Sequence, residues 1–310
     1  MQQHPFKQVD VFTATPYLGN PLAVVLDGQG LDDARMQRFA QWTNLSETTF
    51  LLPPLDAAAD YRVRIFTPRG ELPFAGHPTL GSCHSWLQAG GQPKREDVIV
   101  QECALGLVTI RREPGSAGNE RLAFAAPALK RSAPNPVVLA EVAAALGLTM
   151  PQILAAQLLD NGPLWLGLLL DSAETVLQLT PAHLTLEKLN LKVGVAGLYP
   201  KTETAPLIAR ANREARAFSH AAPTDAEPEA DLEVRAFAAP IGVAEDPVTG
   251  SLNASLAQWL MAEGHMPERY VASQGACLAR AGLVYLQRDA AGQVWVGGNS
   301  VTCVDGSVAL

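Results

Sequence analysis

No common nucleotide signature is present in this 310-residue chain: it has neither a Gly-x-Gly-x-x-Gly fingerprint nor a Gly-Lys-Ser/Thr phosphate loop. His-Glu-x-x-His and Gly-x-Ser-x-Gly are missing as well, and the 6 histidines show no metal-ligand spacing. The expected chemistry therefore needs no bound cofactor and no metal. Cysteine is scarce and scattered: Cys83, Cys103, Cys277 and Cys303 form no close pairs. That suits a reduced, cytoplasmic chain better than a disulfide frame or a zinc site. Positive charge is in deficit, with 23 Lys and Arg against 31 Asp and Glu and a net charge of −8. Nucleic acid and anionic membranes, which need clustered Lys and Arg, are thereby disfavoured as partners. An anionic small substrate is not, because a pocket can be locally positive inside an acidic protein. Long apolar runs are absent too. The longest, Leu164 to Leu170, falls far short of the roughly 20 residues of a membrane span. The first residues, Met-Gln-Gln-His-Pro-Phe-Lys, hold no apolar targeting stretch.

What is present is a composition that can fill two ordinary cores, with 48% hydrophobic and 17% charged residues. It also holds an internal echo. Arg64-Ile65-Phe66, Pro68 and Gly76-His77-Pro78-Thr79-Leu80-Gly81-Ser82 are matched by Arg235-Ala236-Phe237, Pro240 and Glu245-Asp246-Pro247-Val248-Thr249-Gly250-Ser251. Pro78 and Pro247 lie 169 residues apart (247 − 78), a little over half the chain. Two similar halves facing each other are expected. The residue before the proline differs, His77 in one copy and Asp246 in the other, as in a cleft shared by a duplicated scaffold with unduplicated polar groups.

Strand patterns occur at Val9–Phe12, Leu22–Val25, Thr48–Leu52, Tyr61–Phe66, Val98–Val100, Leu107–Ile110, Leu164–Leu170 and Val234–Phe237, with four more near Tyr270, Val284, Val294 and Val301. Helices are expected after Asp32-Asp33 through Met36, Phe39 and Trp42, from His77 to Ala89 before Gly90-Gly91, from Val138 to Leu146, and over Val248, Leu252, Leu256, Trp259 and Leu260 up to Gly264. Pro127 to Pro136 reads as the linker between halves, and the polar stretch Glu214 to Glu229 as a surface loop. Strands dominate without regular alternation with helices, which favours α+β over a doubly wound parallel sheet.

Both copies of the repeat place polar residues at a helix start, where free N–H groups and the positive dipole end suit a carboxylate. His77 and Asp246 read equally as plain helix caps. Glu47 leads an apolar strand, where a glutamate is a surface residue more often than a base; a capping box with Asn44 is the other reading, although Thr-Thr-Phe-Leu-Leu-Pro-Pro is a poor helix. Gln274-Gly275 and Gly297-Gly298-Asn299 read as turns or bulges, or as places where backbone approaches a ligand. Cys83 reads as core rather than nucleophile.

Together these stretches resemble the PhzF family of phenazine-biosynthesis-like proteins. The matching pieces are Gly19-Asn20-Pro21-Leu22-Ala23-Val24-Val25, Asn44-Leu45-Ser46-Glu47-Thr48-Thr49-Phe50, Phe66-Thr67-Pro68, Glu71-Leu72-Pro73-Phe74-Ala75-Gly76-His77-Pro78 and the Glu245 to Ser251 segment. Gln274-Gly275 and Gly297-Gly298 fall where the family has its closing strands, and the match runs from about residue 8 to the end. The segment from Arg210 to Ala230 has no counterpart and reads as an insertion.

The resemblance implies an α+β, diaminopimelate epimerase-like fold: two pseudo-repeated halves, each an antiparallel sheet wrapped around a central helix, with the active site between them. The halves are placed at 1–127, holding Glu47 and His77, and 128–299, holding Asp246, with a last strand at 300–310 returning to the first half. It further implies a homodimer and a cofactor-independent isomerase acting on a small carboxylate, similar to trans-2,3-dihydro-3-hydroxyanthranilate isomerase. Glu47 would move the proton, and His77 and Asp246 would complete the catalytic set. Gly76, Gly250 and Ser251 would hold the substrate carboxylate. Epimerase relatives use two cysteines. Ala75 stands where one of them precedes the glycine, and Asp246 marks the second site, so a cysteine pair is not expected. A racemase or epimerase using Glu47 and Asp246, or a non-catalytic small-molecule binder, remains the alternative.

Overall fold

The computed structural model describes residues 2–114, 120–200 and 228–310. In its first half the chain forms β1 (Gln3–Val11), β2 (Asn20–Val25), α1 (Asp33–Thr43), β3 (Glu47–Leu52), β4 (Tyr61–Thr67), β5 (Gly70–Leu72), α2 (Gly76–Gln88), β6 (Val98–Cys103), β7 (Gly106–Pro114) and β8 (Glu120–Ala125). A short β9 (Lys130–Ser132) and α3 (Pro136–Leu146) lead into the second half. There follow β10 (Ile153–Asp160), β11 (Leu164–Leu170), α4 (Ala173–Gln178), α5 (His183–Leu189), β12 (Lys192–Leu198), β13 (Leu232–Ala238), β14 (Val243–Asp246), α6 (Gly250–Ala262), β15 (Arg269–Gln274), β16 (Gly282–Arg288), β17 (Val294–Gly298) and β18 (Ser300–Ala309).

The strand pairings repeat. In the first half β1–β2 is antiparallel, β2–β3 parallel, β3–β4 antiparallel and β4–β6 parallel, with β5 hairpinned onto β4. In the second half β10–β11, β11–β12, β12–β13, β13–β15 and β14 repeat the same sequence of senses. The halves are sewn together in two ways. β8 pairs antiparallel with β17. The closing strands are exchanged: β9 pairs with β10, and β18 pairs along its length with β1. Even an ion pair is duplicated. Arg64 grips Glu71 through both Nε and Nη2, and Arg235 grips Glu245 in the same bidentate way. Each guanidinium also lies about 5 Å from a phenylalanine ring two residues on, Phe66 or Phe237.

Outer helices cover the outer faces of the sheets. Met36 and Phe39 of α1 pack with Phe50 and Phe66, and Val142 and Leu146 of α3 pack with Leu166, Leu168 and Leu170. The inner helices are different. α2 buries nearly every residue of its first ten, and α6 buries eleven of its thirteen. On α2, small side chains let the sheet approach the helix closely. α2 supplies Gly76, Thr79, Gly81, Ser82 and Ser85, and its buried hydroxyls are all bonded: Thr79 to the Ala75 carbonyl, Ser82 to Thr49 and Ser85 to the Gly81 carbonyl.

Several sequence expectations need correction. The stretch read as a linker contains β9, because its backbone completes the edge of β10. Strands β10 and β12 and helices α4 and α5 carry no clean periodicity and were not anticipated. Trp42 is 79% exposed and only stacks on Phe39. Val248 is buried but precedes α6 rather than belonging to it. The repeat itself is out of register: Arg64 and Arg235 are true counterparts, but Gly76 corresponds to Gly250, the two helix starts. Pro78 lies inside α2, whereas Pro247 lies ahead of α6, so His77 and Asp246 are not equivalent positions. Asp246 corresponds to Leu72, and His77 to Ser251. The expected insertion and surface loop fall almost wholly within 201–227, outside the described residues.

The two inner helices meet end to end. A methyl group added at Gly76 would sit 2.8 Å from the Gly250 Cα, and one added at Gly250 would sit 2.8 Å from the Gly76 Cα. Backbone on each side leaves no room for either. Gly76→Ala or Gly250→Ala is therefore expected to lower stability by about 1–3 kcal/mol in urea unfolding. Gly70→Ala, with no atom within 4 Å of the new carbon, is expected to stay within about 0.5 kcal/mol.

Candidate active site

α1, α3 and α4 are each capped by a side chain, from Asp32, Asn135 and Ser172 respectively. α2 and α6 are not: Ala75 and Thr249 stand at their N-cap positions and neither side chain accepts from the first turn. Both uncapped ends open on one cleft of about 170 Å³, whose lining includes Ser46, Glu47, Trp165, Lys192, Asp246 and Ser251. Two helix starts with unused N–H groups, aimed at one space, form an anion-favouring locus.

Glu47 opens β3 and enters this cleft. The capping-box reading fails, because Asn44 is the left-handed C-cap of α1, so the chain has already left the helix. Glu47 Oε2 faces His77 Nε2 at 3.5 Å, and neither buried atom has a hydrogen-bond partner. Burial, reinforced by the nearby Asp246 carboxylate and opposed by Lys192, holds the Glu47 carboxyl well above its ordinary range. Burial pulls His77 down to about 3, so its imidazole is neutral.

The tautomer follows from Asn20. Its Nδ2 donates to Asp246 Oδ1 at 3.0 Å and to the Val248 carbonyl at 2.9 Å, which fixes the amide orientation. The same Nδ2 lies 3.3 Å from His77 Nδ1. The amide nitrogen cannot accept a hydrogen bond, so a proton on Nδ1 would face a donor without a partner; the ring proton is therefore placed on Nε2, toward Glu47.

Asp246 is held from both halves of the protein. Oδ1 accepts from Asn20 and, at 3.3 Å, from Ser46; Oδ2 accepts from Thr249 Oγ1 at 2.6 Å. Burial pushes its carboxyl up to about 6, against the pull of those three donors. It caps no helix, and neither does His77, which is the second residue of α2. Gln274, expected in a turn, ends β15 and works as a brace: its Nε2 donates to Thr249 Oγ1 and the Asp246 carbonyl, and its Oε1 accepts from the Thr249 and Asn253 nitrogens. Gly298 lets Phe12 pack against the backbone, so its lack of a side chain serves the core rather than a ligand. Cys83 is fully buried with its thiol pushed up to about 12, an inert core residue.

Gly76 and Gly250 lie at the helix contact, and Ser251 accepts from Trp165 Nε1 at 3.3 Å while lining the cleft. Glu47, His77 and Asp246 are thus brought together, with Gly76, Gly250 and Ser251 beside them. Sequence reasoning missed Asn20, Ser46, Thr249, Trp165 and Lys192. Asn20 stood in the sequence only as part of the family-like stretch Gly19 to Val25, with no role of its own. Among the described residues no group of three His, Cys, Asp or Glu side chains is arranged to hold a metal ion, and no helix is long and apolar enough to cross a membrane.

A raised carboxyl destabilises the fold as pH rises. An unfolded-chain glutamate loses its proton near 4.5 while the buried Glu47 keeps its own, so stability falls with pH across that window and stays lower above it. Glu47→Gln removes this penalty. It is expected to raise stability at neutral pH and to change it little at pH 4. Urea titrations of both proteins at the two pH values measure the difference.

A family profile described as "Phenazine biosynthesis-like protein" (PhzC-PhzF) matches residues 9–306. The chain is 33% identical to "Antisense-enhancing sequence 1" of Schizosaccharomyces pombe, over 99% of both chains. It is 32% identical to the trans-2,3-dihydro-3-hydroxyanthranilate isomerase of Pseudomonas aeruginosa, over 99% of this chain and 100% of that one. Among solved structures, the PhzF-family phenazine biosynthesis protein of Bacillus anthracis superposes with a TM-score of 0.79 over 100% of both chains, at 22% identity. With a near full-length profile match and near full-length relatives, the chain belongs to the phenazine biosynthesis-like (PhzC-PhzF) family.

Proposed function

We propose that this chain is a cofactor-independent isomerase that shifts a proton on a small carboxylate substrate by general acid/base catalysis. The observation that carries this reading is the facing pair of buried, unpartnered atoms, Glu47 Oε2 and His77 Nε2, at the edge of a cleft bounded by two uncapped helix starts. The Pseudomonas aeruginosa relative bears the name of such an isomerase, which supports the reaction class and makes trans-2,3-dihydro-3-hydroxyanthranilate the first substrate to try.

In this reading Glu47 takes a proton from carbon and returns it at another position. Its raised carboxyl suits both steps, since a base that must later act as an acid works best with a pKa near the operating pH. The neutral His77 ring donates Nε2–H to Glu47 when that carboxylate is ionised, and can hand on a proton from the same atom. Asp246, fixed by Asn20, Ser46 and Thr249, positions rather than abstracts. Its occupied oxygens also count against a racemase using Glu47 and Asp246 as paired bases. The substrate carboxylate sits against the first-turn N–H groups of Gly76, Gly250 and Ser251.

Proton NMR of trans-2,3-dihydro-3-hydroxyanthranilate in D2O tests this. Conversion with deuterium uptake is expected, falling about 10²–10⁴-fold in Glu47→Gln. Equal rates in both proteins would remove Glu47 as the base. Asp246→Ala is expected to weaken binding more than it slows turnover. Scrambling of a single α-carbon without isomerisation would instead support an epimerase.

A further inference from the structure

The repeated strand order assigns each position in one half a counterpart in the other. Thr48 pairs with Phe66 across β3 and β4, and Val193 pairs with Phe237 across β12 and β13. Phe66 and Phe237 are counterparts, since each lies two residues beyond the duplicated arginine. One residue back along each strand, Glu47 at the head of β3 corresponds to Lys192 at the head of β12. The same result comes from the parallel pairs, where Leu22 meets Glu47 and Trp165 meets Lys192. The two halves therefore present an acid and a base from equivalent positions, and both line the cleft.

Lys192 is the only cation among the residues that line it. Its ammonium lies 5.0 Å from the centroid of the Trp165 ring. No carboxylate among the described residues comes within ion-pair distance; Glu47 and Asp160 act on it only at longer range. The aromatic face keeps the ammonium charged in a partly desolvated place without neutralising it. Trp165 also donates Nε1–H to Ser251 Oγ at the start of α6. Ser251, the Trp165 indole and the Lys192 ammonium thus form one continuous wall.

A cleft with two carboxyl groups and one unpaired cation has a charge problem that depends on its ligand. The Ser251 wall is itself positive, because it combines a helix start with the Lys192 ammonium, while the Asp246 carboxylate across the cleft is already held by Asn20, Ser46 and Thr249. A neutral ligand would leave the ammonium desolvated and unpaired. An anionic one completes it.

We infer that Lys192 is a substrate-binding residue that pairs with the substrate carboxylate against the Ser251 wall and thereby selects acids over their neutral amides. The inference rests on the reading that this cleft is the substrate site. It narrows the substrate class to small molecules with an ionised acid group and explains how an acidic protein admits one. The burial that brings Lys192 down to about 8 leaves it mostly protonated at neutral pH.

The test pairs acids with their amides: benzoate and benzamide, pyrrole-2-carboxylate and its carboxamide, 3-hydroxyanthranilate and its carboxamide. Dissociation constants are measured by calorimetry for the wild type, Lys192→Met and Lys192→Arg. In the wild type at least one acid is expected to bind about ten- to a hundredfold more tightly than its amide, the range of one charge-assisted hydrogen bond. Lys192→Met is expected to lose that preference while binding the amide unchanged, and Lys192→Arg to keep most of it. Unchanged amide binding also shows that the variant is folded. The inference is overturned if no acid is preferred by the wild type, or if Lys192→Met keeps the preference. It is also overturned if Lys192→Met shifts only the pH profile of kcat and leaves KM unchanged, since Lys192 would then merely balance Glu47. Loss of acid selectivity with persistent Glu47-dependent deuterium exchange would leave the isomerase reading intact. Lys192-dependent selectivity without that exchange would remove the isomerase reading alone.

Discussion

Everything in this protein is arranged around the contact between Gly76 and Gly250. Two helices meet start to start, close enough that neither tolerates a β-carbon at the junction. Like ends of two helix dipoles repel, so the arrangement is held by what surrounds it. The sheets wrap each helix, β8 and β17 join them, and the exchanged strands β9 and β18 tie each half to the other. The absence of side-chain caps at these two helices, where α1, α3 and α4 have them, leaves their first-turn N–H groups without a side-chain acceptor. An anion at the junction relieves the repulsion and satisfies those groups at once.

The polar residues around the junction divide into those that are tied down and those that are not. Asp246 is held by three donors, one of them from its own half and two from the other, and Gln274 secures the loop that carries it. The buried Arg235–Glu245 pair anchors the strand that presents Asp246. Removing one member of such a pair typically costs about 3–5 kcal/mol, because the other is left buried and uncompensated. Glu47 Oε2 and His77 Nε2, by contrast, are buried and unbonded. Each unpaired buried group costs about 1–3 kcal/mol. Such a cost is typical of a functional site, where the rest of the core offsets a local penalty.

Much of this was legible from sequence. Glu47, His77 and Asp246 stand out in the sequence as candidates and lie close together in the fold, and the alternation of Tyr61, Val63 and Ile65 with Arg62 and Arg64 marks β4 plainly. The α+β, two-half, epimerase-like architecture agrees with the sequence reading. The misregistered repeat shows the limit. Gly-His-Pro and Glu-Asp-Pro look alike as strings, yet Pro78 lies inside a helix and Pro247 before one. Only hydrogen-bond register separates the two. β10 and β12 were missed because burial does not alternate along either strand. Lys192 was missed for a related reason: it has no local motif, and its meaning comes from standing where Glu47 stands in the other half. Asn20 was missed because its contacts, to His77 and Asp246, come from distant parts of the chain.

Near full-length relatives of this chain include one named as an isomerase and one named for enhancing antisense action, so the shared scaffold does not by itself fix the substrate. The account depends instead on Glu47 holding its proton in the cleft. The most direct measurement is a carbon-13 NMR titration of the Glu47 carboxyl, assigned by comparison with Glu47→Gln. A midpoint well above the ordinary glutamate range, moving when a carboxylate binds, is the result expected. A midpoint near 4.5 would mean that Glu47 is solvated and already ionised, and the acid–base account of this cleft would be wrong.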